Sequence, residues 1–278
     1  MRLNSEKSVA FQGEHGAFSE MAVFGIFGKS ATTKPSLYFQ DVFEEVKNGE
    51  CEYGVVPVEN TLGGIVYQVW DLLNEYELNI IGETTIKIEH CLISNPNIKL
   101  TDIKKVYAHY QAALQCSNFL NKHKDWTVEN AYDTAGSVKI VKNILGEEKF
   151  TGAAIASERA ANIFEMKILK KNIQDSNENY TRFVIISKKP HSNTGNKFTS
   201  VLSIKHEPGA LLEILKITNK HKINLTSIHS RPNKNKAFQY NFFLEGIFNK
   251  NISKFFSEIR KKCEIFKPLG IYKSNLKT

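Results

Sequence analysis

The order of apolar and polar positions divides the chain into short strand-like runs and longer helical runs. In about the first 190 residues, β-rich runs such as SVAF, YGVVPV, KKVYAH and AAIA alternate with helical patterns. The helical patterns are AFSEMAVFGIF, GGIVYQVWDLL, QAALQCSNFL and SERAANIF. Such alternation is typical of an α/β architecture. The last run of this part is a strand, RFVIIS.

A second pattern follows a stretch, KKPHSNTGNK, that is rich in Lys, Asn, Ser and Gly and resembles a linker. Beyond it the runs predict strand TSVLSIK, helix GALLEILKITNKH, strands INLTSIHS and FQYNFFLEGIF, helix ISKFFSEIRKKC and strand IFKPLGIY. This order, βαββαβ, is that of ferredoxin-like domains. We therefore expect one domain over residues 1–188, a linker over 189–198 and a smaller domain over 199–278.

Composition narrows the class of protein. With 278 residues, of which 41% are hydrophobic, the chain can bury the cores of two domains. It offers no apolar run long enough for a signal peptide or a membrane span, so we expect a cytoplasmic protein. The four cysteines form no CxxC pair, and neither disulfides nor a metal site are expected. The net charge of +8 comes largely from scattered lysines without a basic helix, so we expect no nucleic-acid partner.

Two glycine-containing turns follow predicted strands and precede predicted helices. Phe11–Glu20 offers free backbone N–H groups at a helix start, where a carboxylate can dock, although such a turn is also common for structural reasons alone. Pro57–Gly64 lies at the carboxyl end of the strand YGVV, the usual place for ligands in open α/β sheets. Helix capping by Asn60 and Thr61 is the plainer interpretation of that turn.

Three further segments carry polar groups. His109 follows the strand KKVYA, and Gln111 and Gln115 share one helical face by their four-residue spacing. Asp133-Thr134-Ala135-Gly136 has the pattern of a helix N-cap. Asn179–Phe183 places a hydroxyl and a guanidinium at the start of the last strand, where Arg182 can bind a carboxylate or form an ordinary surface ion pair.

Taken in order, these segments resemble the prephenate dehydratase family. The resemblance runs from about Val9 to Ser187 through five blocks: VVPVENTLGG, HYQAALQC, DTAGSVK, AAIASERAA and IQD…NYTRF. The second half resembles the family's ACT domain, an amino-acid-sensing domain, through EPGALL and NLTSIHSRP. The resemblance implies a two-lobed catalytic domain similar to periplasmic binding proteins, followed by a regulatory ACT domain. It also implies that the strand carrying Arg182 returns to the first lobe.

The family's reaction removes carbon dioxide and hydroxide from prephenate to give phenylpyruvate, a carbon–oxygen lyase reaction that needs neither metal nor organic cofactor. The resemblance assigns Thr181 the role of hydrogen-bond donor to the departing hydroxyl, with Asn60, Gln115 and Glu59 completing the network. The substrate-binding residues implied are Ser19, Thr61, Gly63, His109, Gln111, Thr134, Ala135, Arg182 and Phe183.

The ACT resemblance implies that L-phenylalanine is the effector and that the chain forms a homodimer or homotetramer. The implied effector-binding residues are Gly209, Ala210, Leu211, Leu212, Asn224, Leu225, His229, Ser230, Arg231 and Pro232. His229 stands where the family usually has Glu, which predicts weaker, pH-dependent inhibition. Other departures are Ala108 for a serine that contacts substrate in relatives, Ala17 for a common Thr, and Thr61 for a common Ser.

Two other functions fit the same pattern. An arogenate dehydratase would act on the aminated substrate and make phenylalanine directly, and no single residue separates it from a prephenate dehydratase. A non-catalytic amino-acid sensor is the second, although an intact Thr181-Arg182-Phe183 counts against it.

Overall fold

The computed structural model describes residues 7–144, 151–190, 195–234, 236–249 and 252–274. The chain forms two compact units. The first comprises the described residues up to Val69 together with Thr84–Phe183, and the second comprises Trp70–Glu83 and the described residues from Val184 onward. Part of the expected linker, residues 191–194, lies outside the described residues.

The first unit is α/β. Its elements are β1 (Ser8–Gln12), α1 (Phe18–Phe27), β2 (Thr32–Ser36), α2 (Phe39–Asn48), β3 (Tyr53–Asn60), β4 (Gly64–Ile65), α3 (Tyr67–Glu75), β5 (Asn79–Lys87), β6 (Cys91–Ser94), β7 (Lys105–Ala108), α4 (Tyr110–Gln115), α5 (Ser117–Leu120), β8 (Thr127–Asn130), α6 (Thr134–Asn143), β9 (Gly152–Ala156), α7 (Glu158–Phe164), β10 (Lys167–Lys170) and β11 (Tyr180–Ser187). Three of these elements, α3, β5 and β11, continue into the second unit.

These strands build two sheets. One has the order β2-β1-β3-β11-β5, with β4 paired to β3, and the other has the order β10-β6-β9-β7-β8. Strand β1 runs parallel to both neighbours, and β7 runs parallel to β8 and β9. Strand β11 therefore joins the sheet of β1 and β3, which confirms that the last strand of this half returns to the first sheet.

Burial explains why these runs become strands. All five residues of β9, GAAIA, are buried, as expected for a central strand covered on both faces. Leu92, Val106 and Ile155 from three neighbouring strands meet in one apolar cluster. The apolar runs of the sequence thus become the interior of the sheets, and the polar segments that follow the strands stay at their ends.

Two predicted helices differ from the structure. GGIVYQVWDLL was expected to be helical from its glycines, but Gly64 and Ile65 pair with Asn60 and Glu59 as β4, and the helix begins at Tyr67. QAALQCSNFL was expected to be one helix, but it breaks at Cys116 into α4 and α5. The carbonyl oxygen of Gln115 accepts a hydrogen bond from the backbone N–H of Asp175 at 2.7 Å, so the chain leaves the helix there.

The second unit has the predicted βαββαβ order: β12 (Lys197–Ser203), α8 (Ala210–Lys220), β13 (Asn224–Pro232), β14 (Tyr240–Ile247), α9 (Ser253–Arg260) and β15 (Ile265–Tyr272). They form an antiparallel sheet in the order β13-β14-β12-β15, with an apolar cluster that includes Phe198, Leu244 and Phe255.

A charged cluster lies inside the second unit. The Nζ of Lys197, which is fully buried, lies 2.7 Å from a carboxylate oxygen of Glu83 and 3.8 Å from one of Glu245. Both carboxylates are at most 2% exposed. The hydroxyl groups of Thr199 and Tyr272 also contact Glu245. Burying charge is costly without such partners, so this cluster depends on its cation.

None of the helices in the described part of the chain is both long and apolar enough to cross a membrane. The four cysteines are free thiols, three of them buried. Within the described ranges, His, Cys, Asp and Glu side chains form no group of three or more that could hold a metal ion.

Candidate active site

A cavity of about 830 Å³ lies within the first unit. Its wall is built from polar segments that follow strands or begin helices, as expected where strands of an α/β sheet end. The lining residues are Gln12, Phe18, Ser19, Leu37, Tyr38, Phe39, Pro57, Asn60, Gly64, Val66, Gln68, Ile88, His90, His109, Tyr110, Gln111, Ala112, Gln115, Tyr132, Asp133, Thr134, Thr181 and Phe183.

The amide of Asn60 is the centre of a hydrogen-bonded cluster in this wall. Its Oδ1 accepts bonds from the backbone N–H groups of Leu62 at 3.0 Å and Gly63 at 2.6 Å. Because backbone N–H groups only donate, the oxygen of the Asn60 amide must face this turn, and Nδ2 must face the other way. The turn therefore fixes the orientation of the amide.

Nδ2 of Asn60 donates towards the start of β11. Its acceptors are Oδ1 of Asn179 at 2.8 Å, the carbonyl oxygen of Tyr180 at 3.0 Å and Oγ1 of Thr181 at 3.0 Å. The Thr181 oxygen thus accepts a hydrogen bond from protein, and no protein acceptor takes its proton among the described residues. Thr181 lines the cavity, so its hydroxyl is set up to donate to a ligand there.

Gln115 and Thr61 hold this arrangement from two sides. Nε2 of Gln115 donates to Asn60 Oδ1 at 3.3 Å, and its Oε1 accepts from Asn179 Nδ2 at 2.8 Å. The hydroxyl of Thr61 donates to the carbonyl oxygen of Glu178 at 2.7 Å and accepts from the N–H of Tyr180 at 3.0 Å. The side chain of Thr61 therefore fastens β11 just before Thr181.

Strand periodicity decides which residues of β11 face the cavity. Successive side chains of a strand point to opposite faces, and Thr181 and Phe183 line the cavity while Arg182 does not. Arg182 is buried, and its guanidinium donates to Oε2 of Glu59 through Nε at 3.3 Å and Nη2 at 3.2 Å. Glu59 is thus an ion-pair partner of Arg182 and is absent from the lining residues.

Two helices of ten residues begin at the cavity wall. Ser19 lies in the first turn of α1, and Thr134 is the first residue of α6. The N-cap of α6 is Asp133, whose Oδ1 accepts from the N–H of Gly136 at 2.8 Å. Helix starts carry unpaired N–H groups and partial positive charge, which suits the carboxylate groups of a ligand.

The side chains of the cavity wall carry little positive charge. No Lys or Arg is present among its lining residues in the described part of the chain. Burial lowers the pKa of His109, with the Asp133 carboxylate opposing that shift. Burial also raises the pKa of Asp133, against the bonds that its carboxylate accepts from the backbone of α6. The walls therefore offer mainly neutral donors, hydroxyls and helix starts to a ligand.

The structure brings most of the predicted site residues together. Asn60, Gln115 and Thr181 form the cluster, and the wall also contains Ser19, His109, Gln111, Thr134 and Phe183. Glu59, Thr61, Gly63, Ala135 and Arg182 are not among the lining residues, although the backbone of Gly63 and the hydroxyl of Thr61 support the cluster. The roles assigned to these residues stay predictions.

Sequence reasoning missed His90 and Asn179. Asn179 is fully buried and bridges Asn60 and Gln115. His90 lines the cavity and contacts Gln115. Asn179 is the first residue of the NYTRF block, which was a usable signal, although no role is assigned to it from the sequence. His90 precedes a short apolar strand, CLIS, and nothing in the local pattern marks it.

The predicted effector residues fall on two elements of the second unit. Gly209, with φ +86°, is the N-cap of α8, and Ala210, Leu211 and Leu212 form the first turn of that helix. Asn224, Leu225, His229, Ser230, Arg231 and Pro232 belong to β13, which is an edge strand of its sheet.

Within that unit, β13 contacts the C-terminal part of α3. The imidazole of His229 stacks on Phe243, with centroids 5.0 Å apart, and meets the edge of Trp70 at 4.6 Å. Arg231 donates to both carboxylate oxygens of Asp71, at 2.9 and 2.6 Å. The effector motif therefore holds residues 70 and 71 by ring contacts and by a bidentate ion pair.

The chain is similar in sequence to known dehydratases. The family model for prephenate dehydratase matches residues 9–191. A bifunctional chorismate mutase/prephenate dehydratase of Aquifex aeolicus is 38% identical over 277 residues, which are 98% of this chain and 75% of that protein. The chloroplastic arogenate dehydratase/prephenate dehydratase 2 of Arabidopsis thaliana is 35% identical over 253 residues, 87% of this chain and 65% of that protein.

Solved structures show the same fold. A prephenate dehydratase from Arthrobacter aurescens in complex with L-Phe has a TM-score of 0.85 at 26% identity, covering 96% of this chain and 90% of that one. A protein described as a novel type of quorum-quenching acylase, GqqA, has a TM-score of 0.86 at 27% identity, covering 97% and 99%. From the family match and the relatives at more than 30% identity, the chain belongs to the prephenate dehydratase family of lyases.

Proposed function

We propose that this protein catalyses the decarboxylative dehydration of prephenate to phenylpyruvate in L-phenylalanine biosynthesis. The observation that carries the proposal is the polarity of the Asn60 cluster, which leaves the Thr181 hydroxyl as a donor facing the cavity. Within the family, the substrate is a ring with two carboxylates and one hydroxyl, and the departing hydroxyl needs such a donor.

In the proposed reaction, the bond between the ring and the leaving carboxylate breaks, and its electron pair enters the ring. The ring becomes aromatic as the C–O bond at the opposite carbon breaks and the oxygen departs with its electron pair. Carbon dioxide leaves, and the departing hydroxide takes one proton to become water. Aromatisation supplies the driving force, so the protein's task is to stabilise charge on the departing oxygen.

Thr181 is a weak acid, and we assign it the role of stabilising the departing oxygen by a hydrogen bond rather than that of donating the proton outright. Asn60 holds its oxygen, and Gln115 holds Asn60. We propose that the starts of α1 at Ser19 and of α6 at Thr134 receive the carboxylate that the product retains. The apolar part of the wall, including Phe183, then surrounds the carboxylate that leaves, since a poorly solvated carboxylate loses carbon dioxide more readily.

Arogenate is the second candidate substrate, because one relative carries both activities in its description. Asp133 is the observation that bears on it. Its Oδ2 is buried at the cavity wall and has no hydrogen-bond partner among the described residues. An unpaired carboxylate oxygen suits the ammonium group of arogenate better than the keto group of prephenate.

Acylase activity, which the description of GqqA names, fits the cavity less well if it proceeds by hydrolysis with a side-chain nucleophile. A hydrolytic nucleophile needs a base within hydrogen-bond reach. Among the described residues, the hydroxyl groups of Ser19, Thr134 and Thr181 make no hydrogen bond to a histidine, and Thr181 accepts from an amide instead. The dehydratase proposal therefore has the better geometric support.

Regulation is the further part of the proposal. We propose that residues 199–278 act as an ACT domain that binds L-phenylalanine through the start of α8 and β13, and that residues 1–188 are catalytic. A relative was solved with L-Phe bound, and the edge strand β13 is available for pairing between chains. A homodimer or homotetramer is the expected state, which light scattering at micromolar concentration would measure.

The test is turnover of prephenate and of arogenate, side by side, by purified wild type and the Asp133→Asn variant. Asparagine keeps the helix cap through its oxygen and removes the charge. We expect prephenate to be the better substrate of the wild type and arogenate turnover to suffer more in the variant. An N-acyl homoserine lactone is included as a third substrate. A wild type that does not turn over prephenate would overturn the proposal, and turnover of arogenate alone would favour the second candidate substrate.

A further inference from the structure

His90 lies at the cavity wall and is almost fully buried. It directly precedes β6 and is 2% exposed. Its backbone N–H donates to Oε1 of Gln174 at 2.9 Å, and its carbonyl oxygen accepts from the N–H of Ile173 at 3.0 Å. The ring packs edge-on against Phe18, with centroids 5.7 Å apart. Among the described residues, Nε2 is the one ring nitrogen with a hydrogen-bond partner, which is Oε1 of Gln115 at 2.9 Å.

The orientation of the amide groups in the Asn60 cluster determines which ring nitrogen of His90 carries the hydrogen. Asn60 Oδ1 must be an acceptor because two backbone N–H groups point at it. The Gln115 group facing that oxygen must then be the NH₂ group, at 3.3 Å. The carbonyl oxygen of Gln115 consequently faces His90, so Nε2 of His90 must be the donor in the bond between them.

The other ring nitrogen of His90, Nδ1, lowers the stability of the folded protein. Nδ1 is buried and has no hydrogen-bond partner among the described residues. Burial lowers the pKa of His90, against the bond to Gln115, so the ring is neutral and Nδ1 carries a lone pair. A buried acceptor without a partner costs about 1–3 kcal/mol, whereas an apolar ring of similar size would avoid that cost. Stability alone therefore does not explain an imidazole here.

We propose that His90 is a positioning residue for the reaction at Thr181. Its Nε2–H holds the carbonyl oxygen of Gln115, which keeps the Gln115 amide pointed at Asn60 and the Asn60 amide pointed at Thr181. The backbone turn at Leu62 and Gly63 fixes one end of this chain of bonds and His90 fixes the other. Asn179 donates to the same oxygen of Gln115, so the loss of His90 loosens the cluster without leaving that oxygen unpaired.

The inference rests on the proposed function for its kinetic readout, and the tautomer can be measured independently. Nitrogen-15 NMR of protein labelled at histidine reports which ring nitrogen bears hydrogen, and the His90→Gln spectrum identifies the signal. We expect a neutral ring protonated at Nε2 between pH 7 and pH 8. A ring protonated at Nδ1 alone would overturn the proposal, whatever the enzyme turns over.

The kinetic arm compares His90→Phe with His90→Gln. Phenylalanine keeps the ring and removes the donor, whereas the amide N–H group of glutamine reaches about as far as Nε2. We expect the Phe variant to melt at close to the wild-type temperature, since its orphaned nitrogen is gone, but to lose about tenfold to hundredfold in kcat with KM within about threefold. The Gln variant should recover most of that loss.

A matched control is His123→Gln, because His123 stacks on Trp126 outside the cluster and does not line the cavity. Its kcat should equal that of the wild type. Wild-type kcat in the Phe variant, or a Gln variant as slow as the Phe variant, would contradict the proposal. An inactive wild type would sink the proposed function while leaving the tautomer measurement to decide the polarity of the cluster.

Discussion

Replacing Asn60 with aspartate reverses the polarity of one group at the centre of the cluster and keeps the shape of the side chain. The bonds to Oδ1 from Leu62, Gly63 and Gln115 survive. The donor Nδ2, which serves acceptors at 2.8, 3.0 and 3.0 Å, becomes an oxygen facing oxygens. The Thr181 hydroxyl then turns its proton towards the new carboxylate and away from the ligand.

The magnitude follows from these lost bonds. Both hydrogens of Nδ2 disappear. The Tyr180 carbonyl oxygen keeps its bond from the backbone N–H of Thr61 at 2.9 Å, whereas Oδ1 of the buried Asn179 is left without a donor, at a cost of about 1–3 kcal/mol. We expect Asn60→Asp to lower the free energy of unfolding by about 1–3 kcal/mol, and Tm by about 2–12 °C for a unit of this size. Loss of the Thr181 hydrogen bond should lower kcat by about 10²- to 10³-fold.

Thermal melting by circular dichroism and steady-state turnover of prephenate measure both effects. Asn95→Asp is the matched control, because Asn95 also accepts a backbone N–H through Oδ1, from Asn97 at 3.3 Å, at an exposed turn. It should change neither Tm nor kcat. An Asn60→Asp variant with wild-type Tm and wild-type kcat would refute the assigned polarity.

Three other predictions concern charge. Lys197→Met leaves the Glu83 and Glu245 carboxylates without their buried cation, and denaturant unfolding should show a loss of about 3–5 kcal/mol; an unchanged midpoint would contradict the account of that cluster. Burial alone would raise the pKa of Glu20, but hydrogen bonds from His15, Gly16 and Arg159 outweigh burial and lower the pKa below the usual 4.5. The free energy of unfolding of the wild type should therefore fall as the pH drops below about 4.5. The Glu20→Gln variant should be less stable at pH 7 and should lack that acid-dependent loss in the same unfolding measurements. His229→Glu places a carboxylate against the rings of Trp70 and Phe243. Titrating phenylalanine against activity at pH 6 and pH 8 should then give different inhibition curves for the variant and the wild type. Four identical curves would rule out a role for His229 in the effector response.

Much of the fold was visible in the sequence because the apolar runs are local signals. Alternation of strands and helices predicted the α/β half, and the βαββαβ order of the second half is confirmed. The helix break at Cys116 was invisible, since its cause is a hydrogen bond from Asp175, far along the chain. The pairing of Gly64 and Ile65 with β3 was missed for a related reason, because isolated residues next to a helical pattern carry no signal of a short hairpin.

The site shows the same division between local and distant causes. Asn60, Gln115 and Thr181 follow from ordered sequence blocks, and the structure places Asn60 within hydrogen-bond distance of both Gln115 and Thr181. The position of Arg182 facing Glu59 follows from strand alternation, which the sequence contained but which did not decide between a ligand and an ion pair. His90 could not be found, because its significance comes from Gln115, 25 residues away, and from the orientation of an amide.

The central claim is that the Thr181 hydroxyl, held by Asn60, stabilises the departing oxygen of prephenate. The most direct measurement is the single-turnover rate at saturating prephenate for the wild type, Thr181→Ala and Thr181→Ser. We predict that the Ala variant binds substrate nearly as well but reacts at least about 10²-fold more slowly, and that the Ser variant keeps much of the wild-type rate. An Ala variant that reacts at the wild-type rate would contradict the account.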